Sequence, residues 1–455
     1  MRILGAIFYR YLWTVINIFL GYYYRKKRWK HSVGMENIPT DRPILFCCNH
    51  PNAFMDALMV GGTVSRQSWS LARSDAFSNK ALAKFLTFIG IIPIYRLQEG
   101  AENLSRNDEM VNRCVDLLSH GKAIMIFSEG LCIQERRLRK LKKGTSRIVF
   151  AAEERNDFKL NLTIIPVGLN YSATPWKFRS QLHVRFGKPF LANEYEELFK
   201  MNKARAMSTF TRDLEIKMAE QLIIIDDKAN DNLVAQLEEM VTKNWAKEER
   251  LDWRNPKDTF QITRKITHFL KEGEKENSDR ITALREKVLD YFEKLKSIKT
   301  RDWVIEKANS EQLNVGSIIF NYFIFLVFSP VWLFGLITNY VPYQVPSLIA
   351  KKVVTNIEWY ASVNGTIAIF LWQFYWLLQS LIVALVFRNW FVLGAFMVLV
   401  PVTGMIAQEL YVLFKKTTGA AKFLLMRNED RAEEVEKMRK EIMQEVNKLK
   451  EKYVR

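Results

Sequence analysis

A histidine and an aspartate stand close together directly after a short apolar run. The segment Asn49-His50-Pro51-Asn52-Ala53-Phe54-Met55-Asp56 follows Ile44–Cys48. A His removes a proton from an alcohol efficiently when a partner fixes its tautomer, and Asp is the usual partner. Pro51 disfavours helical geometry at His50 but suits the first turn of a helix. The pattern predicts His50 at a strand-to-helix corner and Asp56 about a turn and a half into the helix.

Three further blocks contain residues that could form part of a site. The first, Gly90-Ile91-Ile92-Pro93-Ile94-Tyr95-Arg96, either presents Arg96 to a phosphate or is a buried strand that ends in a solvated Arg. The second, Phe127-Ser128-Glu129-Gly130, closes a strand, so Glu129 is expected where strand ends expose side chains to a cleft. The third, Ile164-Ile165-Pro166-Val167-Gly168, is equally typical of a hydrophobic core.

The excess of positive charge indicates an anionic partner. The chain has 67 Lys and Arg against 49 Asp and Glu, a net charge of +18. Nucleic acid, a lipid surface or a phosphorylated substrate would each suit this charge. The long apolar runs in the same chain favour the membrane over nucleic acid. The basic run 136–147, which contains Lys142, Lys143 and Arg147, is on its own most typical of a solvated face.

The elements around these blocks predict an α/β domain. The runs Ile44–Cys48, Ala123–Phe127 and Thr163–Leu169 have the length and composition of buried strands. Between the first two, apolar residues recur at helical spacing from Met110 to Leu118, and Gly121 supplies a stop. Strands that alternate with helices predict a sheet flanked by helices.

The chain divides by composition into five parts. They are an N-terminal membrane-interfacial helix (1–30), the α/β domain (31–200), a helical region (201–311), membrane segments (312–414) and a charged C-terminal helix (415–455). In the last part, apolar residues recur at heptad-like intervals from Val435 to Tyr453. This predicts either a short coiled coil or a strut against the domain.

In order and separation, the four blocks resemble the glycerophospholipid acyltransferase family, which includes the lysophosphatidate and glycerol-3-phosphate acyltransferases. The resemblance covers about residues 30–190, and Val33-Gly34-Met35-Glu36-Asn37-Ile38-Pro39 is similar to the lead-in of that family. It implies that His50 is the general base on the acceptor hydroxyl and that Asp56 is its partner. The residues that it implies for the phosphate and glycerol site are Arg96, Glu129, Gly130, Lys142, Lys143 and Arg147.

Two departures from the family pattern stand out. The family usually has four residues between His and Asp, whereas this chain has five, a spacing that resembles a subset of the family. One extra helical residue turns a side chain by about 100°, so the corner must bulge to restore the contact. The family also commonly has Thr-Arg after the Gly that corresponds to Gly130, where this chain has Leu131-Cys132. Arg137, Arg139 and Arg147 are candidates to replace the missing Arg.

The resemblance implies transfer of a fatty acyl group from acyl-CoA or acyl carrier protein to the hydroxyl of glycerol-3-phosphate or lysophosphatidate. Neither a metal ion nor a cofactor beyond this co-substrate is expected, and nucleic acid is not an expected partner. Two alternatives stay open: a non-catalytic scaffold that binds anionic lipid, and a lysophospholipid acyltransferase or transacylase. The expected location is an integral membrane protein whose catalytic domain lies on the cytoplasmic face.

The uncharged runs predict one membrane hairpin, formed by about residues 359–387 and 390–414. Residues 312–350 would stretch to about 58 Å as a single helix. Two crossings of a core about 30 Å thick, with a turn, would need more than that length. Ser329-Pro330 near the middle therefore favours a re-entrant or interfacial hairpin. Basic residues at 351–352 and 415–416 place both flanks, and the tail, on the cytoplasmic side.

Overall fold

The computed structural model of the chain describes residues 2–23, 32–64, 66–95, 104–172 and 182–454. The chain divides into two compact units. The first comprises Met1–Ile224, Asn255–Lys257 and Val354–Ser362, and the second comprises Ile225–Arg254, Asp258–Val353 and Val363–Arg455.

An eight-stranded sheet forms the centre of the described part of the first unit. Its strands are β1 (Ser32–Val33), β2 (Ile44–Cys48), β3 (Ser68–Arg73), β4 (Ile91–Ile94), β5 (Ala123–Phe127), β6 (Thr163–Tyr171), β7 (Leu182–Phe186) and β8 (Phe190–Leu191). Their order is β1-β7-β6-β2-β5-β3-β4, with β8 also paired to β6. Strands β7 and β8 run antiparallel to β6, whereas the other pairs are parallel, so the sheet is mixed.

The central strands are apolar because helices cover the sheet. All five residues of β2 are buried, and β5 is buried from Ala123 to Ile126. Continuous apolar runs of this kind are typical of parallel strands that are covered on both faces. The hydrophobic core joins these strands to Val115 and Leu118 of one helix and to Phe150 of another.

Seven helices of the first unit lie in the described residues. They are α1 (Arg2–Tyr23), α2 (Ala53–Gly61), α3 (Lys80–Phe88), α4 (Leu104–Ser119), α5 (Gly144–Arg155), α6 (Glu196–Met201) and α7 (Lys203–Ala219). Helix α1 packs closely on α2, since a Cβ atom added at Gly61 would lie 2.8 Å from the Trp13 ring. The expected sheet flanked by helices is thus confirmed.

The second unit is helical throughout its described part. Its helices are α8 (Asn230–Glu248), α9 (Pro256–Glu276), α10 (Ser278–Ser297), α11 (Asp302–Asn309), α12 (Val315–Val327), α13 (Ser329–Val353), α14 (Ile357–Phe387), α15 (Trp390–Leu425) and α16 (Asp430–Tyr453), of which α9 and α14 begin in the first unit. The apolar seam of α16, including Val435, Ile442 and Val446, packs in one core with α8 to α11. The seam is therefore buried in the core of the second unit, where α8 to α11 provide its packing partners.

Two of these helices are long and apolar enough to cross a membrane: α14 and α15. Helices α12 and α13 meet at a bend of 60° and are together either a broken span or a re-entrant segment. Within the second unit, α13 packs tightly on α15, and Asn339 Nδ2 donates to the Val400 carbonyl at 3.1 Å. Polar bonds and small residues are typical of contacts between helices in a membrane.

The five predicted parts do not coincide with the two units. The first unit continues past residue 200 to Ile224, and α15 continues past residue 414 to Leu425. Helix α1 covers most of the predicted interfacial segment, but residues 24–31 lie outside the described residues. The five-part division stays a prediction.

Candidate active site

The carboxyl ends of three neighbouring parallel strands bring the first candidate residues together. Cys48, the last residue of β2, pairs with Phe127 of β5 and with Val167 of β6. Strands β2 and β5 therefore end at the same level, while β6 continues to Tyr171. The chain leaves this edge at His50 and at Glu129, so both residues lie at the edge where α/β sheets commonly bind ligands.

His50 and Asp56 are in contact. The His50 Nδ1 atom lies 3.0 Å from Asp56 Oδ2, the Asp56 side chain is fully buried, and the His50 side chain is 20% exposed. The Asn52 backbone N–H donates to the same Oδ2 atom at 2.7 Å, and the Tyr171 hydroxyl donates to Oδ1 at 2.7 Å. Donors on both oxygens fix the orientation of the carboxylate, and the carboxylate fixes which nitrogen of His50 carries a proton.

The corner between β2 and α2 bulges. Asn52 has φ −139° and ψ 42°, and Ala53 has φ 42°, in the left-handed region that residues with a Cβ atom seldom adopt. A regular helix across this segment would turn Asp56 about 100° away from the position that it takes with the shorter spacing. The bulge absorbs the fifth intervening residue and restores the contact with His50.

Glu129 holds the backbone of the corner. Its Oε1 atom accepts the His50 backbone N–H at 3.2 Å, and its Oε2 atom accepts the Arg139 backbone N–H at 3.3 Å. Burial raises the pKa of the Glu129 carboxyl to about 6, although the two backbone N–H donors oppose the shift. Glu129 thus supports the segment that carries His50 and contributes a buried acid beside it.

The loop after Gly130 adds two contacts to the corner. Gly130 has φ 67°, and the turn there directs the chain back over the corner. The Ile133 N–H donates to the His50 carbonyl at 3.1 Å, and the Ala53 N–H lies 3.0 Å from the Cys132 Sγ atom. The His50 ring also stacks on Phe127, with ring centres 3.9 Å apart. Burial raises the pKa of the Cys132 thiol above its ordinary value, so this cysteine is a poor nucleophile.

The predicted cations lie in different surroundings. The backbone N–H of Lys142 donates to the Ser128 carbonyl at 2.8 Å, and the exposed Lys142 side chain passes over Gly130. Lys143 is exposed at the start of α5. Arg147 is also exposed and pairs with Asp108 of α4 at 3.6 Å. In the described residues neither of them contacts His50 or Asp56.

The proposed replacements for the missing arginine also have partners. Arg137 and Arg139 both pair with Glu135, at 3.5 and 3.1 Å. Arg96, the fourth predicted cation, lies outside the described residues. The roles of all the candidate side chains in binding and catalysis stay predictions.

Sequence reasoning missed three residues that contact the corner: Cys132, Tyr171 and Ser362, whose hydroxyl oxygen accepts the Met55 N–H at 3.0 Å. Tyr171 could have been found from the strand pattern, because the predicted third strand continues only two residues further to reach it. Cys132 stands two residues after Gly130, the end of a block already singled out, but its contact with Ala53 depends on the bulge. Ser362 lies far along the chain and carries no local signal.

Comparisons with known proteins cover the part of the chain that contains His50, Asp56 and Glu129. Residues 31–170 match the family model described as Acyltransferase. A stretch of 160 residues is 22% identical to the chloroplastic 1-acyl-sn-glycerol-3-phosphate acyltransferase LPAT1 of Arabidopsis thaliana and spans 35% of this chain and 39% of that protein. The crystal structure of the 1-acyl-sn-glycerophosphate acyltransferase PlsC from Thermotoga maritima is similar over 46% of this chain and 80% of that chain, with 16% identity and a TM-score of 0.30.

Residues 31–170 are thus similar to the acyltransferase family, over less than half of the chain. The resemblance to the glycerophospholipid acyltransferases is thereby confirmed for this part of the chain. The wider spacing between His50 and Asp56 is not addressed by these comparisons, so the resemblance to a subset of the family stays a prediction.

Proposed function

We propose that this protein is a membrane-bound acyltransferase that esterifies the free hydroxyl of a lysophosphatidate-like lipid. The acyl donor is a thioester, either acyl-CoA or acyl carrier protein. The contact between His50 and the buried, fully oriented Asp56 at the edge of the sheet carries the proposal. The family match and the named activity of the plant relative support this class of substrate.

In the proposed mechanism each residue of the pair has one role. The Nδ1–H of His50 donates a hydrogen bond to Asp56, which leaves the lone pair of Nε2 free to accept the proton of the acceptor hydroxyl. The hydroxyl oxygen attacks the thioester carbonyl carbon as its proton moves to Nε2. When the tetrahedral intermediate collapses, the C–S bond breaks and the leaving thiolate takes that proton from the imidazolium. No covalent acyl-enzyme is needed.

The membrane segments explain how such an enzyme reaches its substrate. A lysophosphatidate-like lipid presents its phosphate and glycerol at the membrane surface while its acyl chain stays in the bilayer. Helices α14 and α15 are suited to anchor the chain there, and the net charge of +18 suits an anionic surface. We propose that the catalytic unit faces the cytoplasm, since the basic flanks of the membrane segments favour that side.

The test is acyl transfer by the purified full-length protein in lipid nanodiscs. Radiolabelled acyl-CoA and acyl carrier protein thioesters are offered with glycerol-3-phosphate, lysophosphatidate and other lysophospholipids as acceptors. We expect the highest kcat/KM with lysophosphatidate. If no acceptor is acylated with either donor, the chain is not an acyltransferase and a lipid-binding scaffold is the better description. Preference for glycerol-3-phosphate or for a lysophospholipid would overturn the proposed acceptor class.

In the same assay, His50→Ala and Asp56→Asn test the proposed roles. General base catalysis contributes typically 10²–10⁴-fold, so we expect losses of about that size in kcat for both variants. Thermal unfolding of each variant in the same nanodiscs checks that the fold is retained. An active His50→Ala protein would exclude the mechanism while leaving the acyltransferase assignment intact.

A further inference from the structure

The corner that orients Asp56 is completed by a residue from the start of α14. Ser362 is 4% exposed and belongs to the first unit. Its hydroxyl oxygen accepts the Met55 N–H at 3.0 Å, and its hydroxyl donates to the Asn52 carbonyl at 3.1 Å. It lies far outside the matched residues 31–170. We propose that Ser362 is a positioning residue for the His50–Asp56 pair, an inference that rests on the proposed function.

The start of α2 lacks a capping bond from its own N-cap side chain, and Ser362 accepts an N–H there instead. The first backbone N–H groups of a helix have no partner within it, and a side chain at the N-cap usually supplies one. Asn52 occupies the N-cap of α2 but makes no such bond. Both polar atoms of the Asn52 side chain are buried and have no hydrogen-bond partner in the part of the chain that the structure describes. Ser362 provides the side-chain acceptor for Met55 in its place, and it shares that N–H with the Asn52 carbonyl, which accepts it at 3.1 Å.

The bonds of Ser362 act on the residue that holds Asp56. The Asn52 N–H donates to Asp56 Oδ2, the atom that contacts His50, while the Asn52 carbonyl accepts the Ser362 hydroxyl. A change in the position of the Asn52 carbonyl therefore moves a donor of the catalytic carboxylate. Ser362 touches neither reacting atom, so its effect must pass through the orientation of Asp56.

A second contact from the same helix supports this role. Glu358 stands one turn before Ser362 on α14, and its Oε1 atom accepts the Gln134 N–H at 3.4 Å. Gln134 directly follows Ile133, whose N–H donates to the His50 carbonyl at 3.1 Å. The start of α14 thus contacts both the α2 corner and the loop that contacts His50. In this chain the site is completed by a segment that the acyltransferase domain match does not include.

The experiment is a double-mutant cycle of Ser362→Ala and Asp56→Asn in the full-length protein. For Ser362→Ala we expect kcat to fall about tenfold, the effect of one hydrogen bond, with the KM values of both substrates unchanged. In the Asp56→Asn background the same change should cost less than twofold, because the carboxylate on which Ser362 acts is gone. Ser380→Ala is the matched control, since this buried serine of α14 bonds the Trp376 carbonyl of its own helix.

Ser362→Cys is a second variant that separates loss of the hydrogen bond from loss of folding. It fills nearly the same space with a weaker hydrogen-bonding group, so kcat should fall even if Ser362→Ala lowers the Tm. Wild-type kcat in both Ser362 variants would overturn the inference. An equal loss with and without Asp56→Asn would also overturn it, as it would mean general structural support. A wild-type protein without acyl transfer would instead refute the proposed function, so the two failures are distinguishable.

Discussion

At the scale of single residues, the site is defined by backbone groups as much as by side chains. Asp56 is oriented by the Asn52 N–H and the Tyr171 hydroxyl, and Glu129 accepts the N–H of His50. Each bond fixes the segment that carries one member of the pair. The pair alone was predictable, because His50 and Asp56 stand in one block. The supporting partners come from other segments and could not be inferred from that block.

Glu129 should give the stability of the protein a dependence on pH. Its folded pKa of about 6 exceeds the ordinary value of 4.5, so the folded state binds the proton more tightly than the unfolded state. The contribution of Glu129 to stability is therefore fully present below pH 4.5 and is lost as the pH rises to about 6. We expect the Tm difference between the wild type and Glu129→Gln to fall over this window and then to level off.

Differential scanning of both proteins from pH 4 to pH 8, in one detergent, checks the dependence. Glu154→Gln, which removes an exposed carboxylate from α5, is the matched control. Glu129→Gln should also lower kcat at neutral pH, because its amide nitrogen cannot accept one of the two backbone N–H groups. A Tm difference that does not vary between pH 4.5 and 6 would contradict the raised pKa of Glu129.

Arg96 should determine affinity for the acceptor. If its guanidinium binds the acceptor phosphate in two parallel hydrogen bonds, Arg96→Ala should raise the KM for the acceptor about 10- to 100-fold and leave the KM for the acyl donor nearly unchanged. Arg96→Lys keeps the charge but not the paired hydrogen bonds, so its KM for the acceptor should lie between those of the wild type and Arg96→Ala. Arg155→Ala, which removes an exposed partner of Asp116, is the control. Equal effects on both substrates would make Arg96 a structural residue.

At the scale of the elements, the fully buried strands were predictable, whereas the partly apolar strands beside them were not. The runs at β2 and β5 were bounded correctly, and β6 was found with its end two residues short. Apolar runs between turn residues identify such strands because burial on both faces demands continuous hydrophobicity. Strand β3 (Ser68–Arg73) and the antiparallel β7 (Leu182–Phe186) are only partly apolar and were not predicted.

The bulge at Ala53 could be predicted from the sequence only in part. Counting residues between His50 and Asp56 predicts that the corner must depart from a regular helix. It does not predict that Ala53, with no tendency to a positive φ, takes up the extra residue. That conformation is stabilised by contacts from Cys132 and from Ser362. Such contacts between distant segments have no signature in a single sequence.

At the scale of the whole molecule, the apolar helices present large hydrophobic surfaces. In the most apolar 18-residue stretch of α14 only 6% is buried, and in that of α15 only 22% is buried. Side chains such as Phe374, Leu385 and Val398 are more than half exposed. Contiguous exposed apolar surface on this scale is typical of contact with a membrane. Two long apolar helices thus indicate membrane association.

The course of the chain through the membrane follows from how α12 and α13 enter it. Three crossings would place the charged tail on the side opposite the catalytic unit and would carry Lys351 and Lys352 across the membrane. One hairpin of α14 and α15, with α12 and α13 re-entrant, keeps these lysines and the tail on the cytoplasmic side, which basic flanks favour. The bend of 60° between α12 and α13 is compatible with either course, so the position of the tail decides between them.

Labelling of single cysteines with a membrane-impermeant maleimide in right-side-out and inverted vesicles tests this prediction. Cys47, Cys48 and Cys114 are buried, and Cys132→Ser removes the more accessible thiol while keeping an acceptor for the Ala53 N–H. In that background, a cysteine at position 389, in the turn between α14 and α15, should react only from outside. Cysteines at positions 351 and 440 should react only from inside, because the re-entrant pair returns the chain to the face on which it entered. Retained acyl transfer confirms that each variant is folded. A cysteine at position 440 that reacts from outside would establish three crossings and exclude the re-entrant pair.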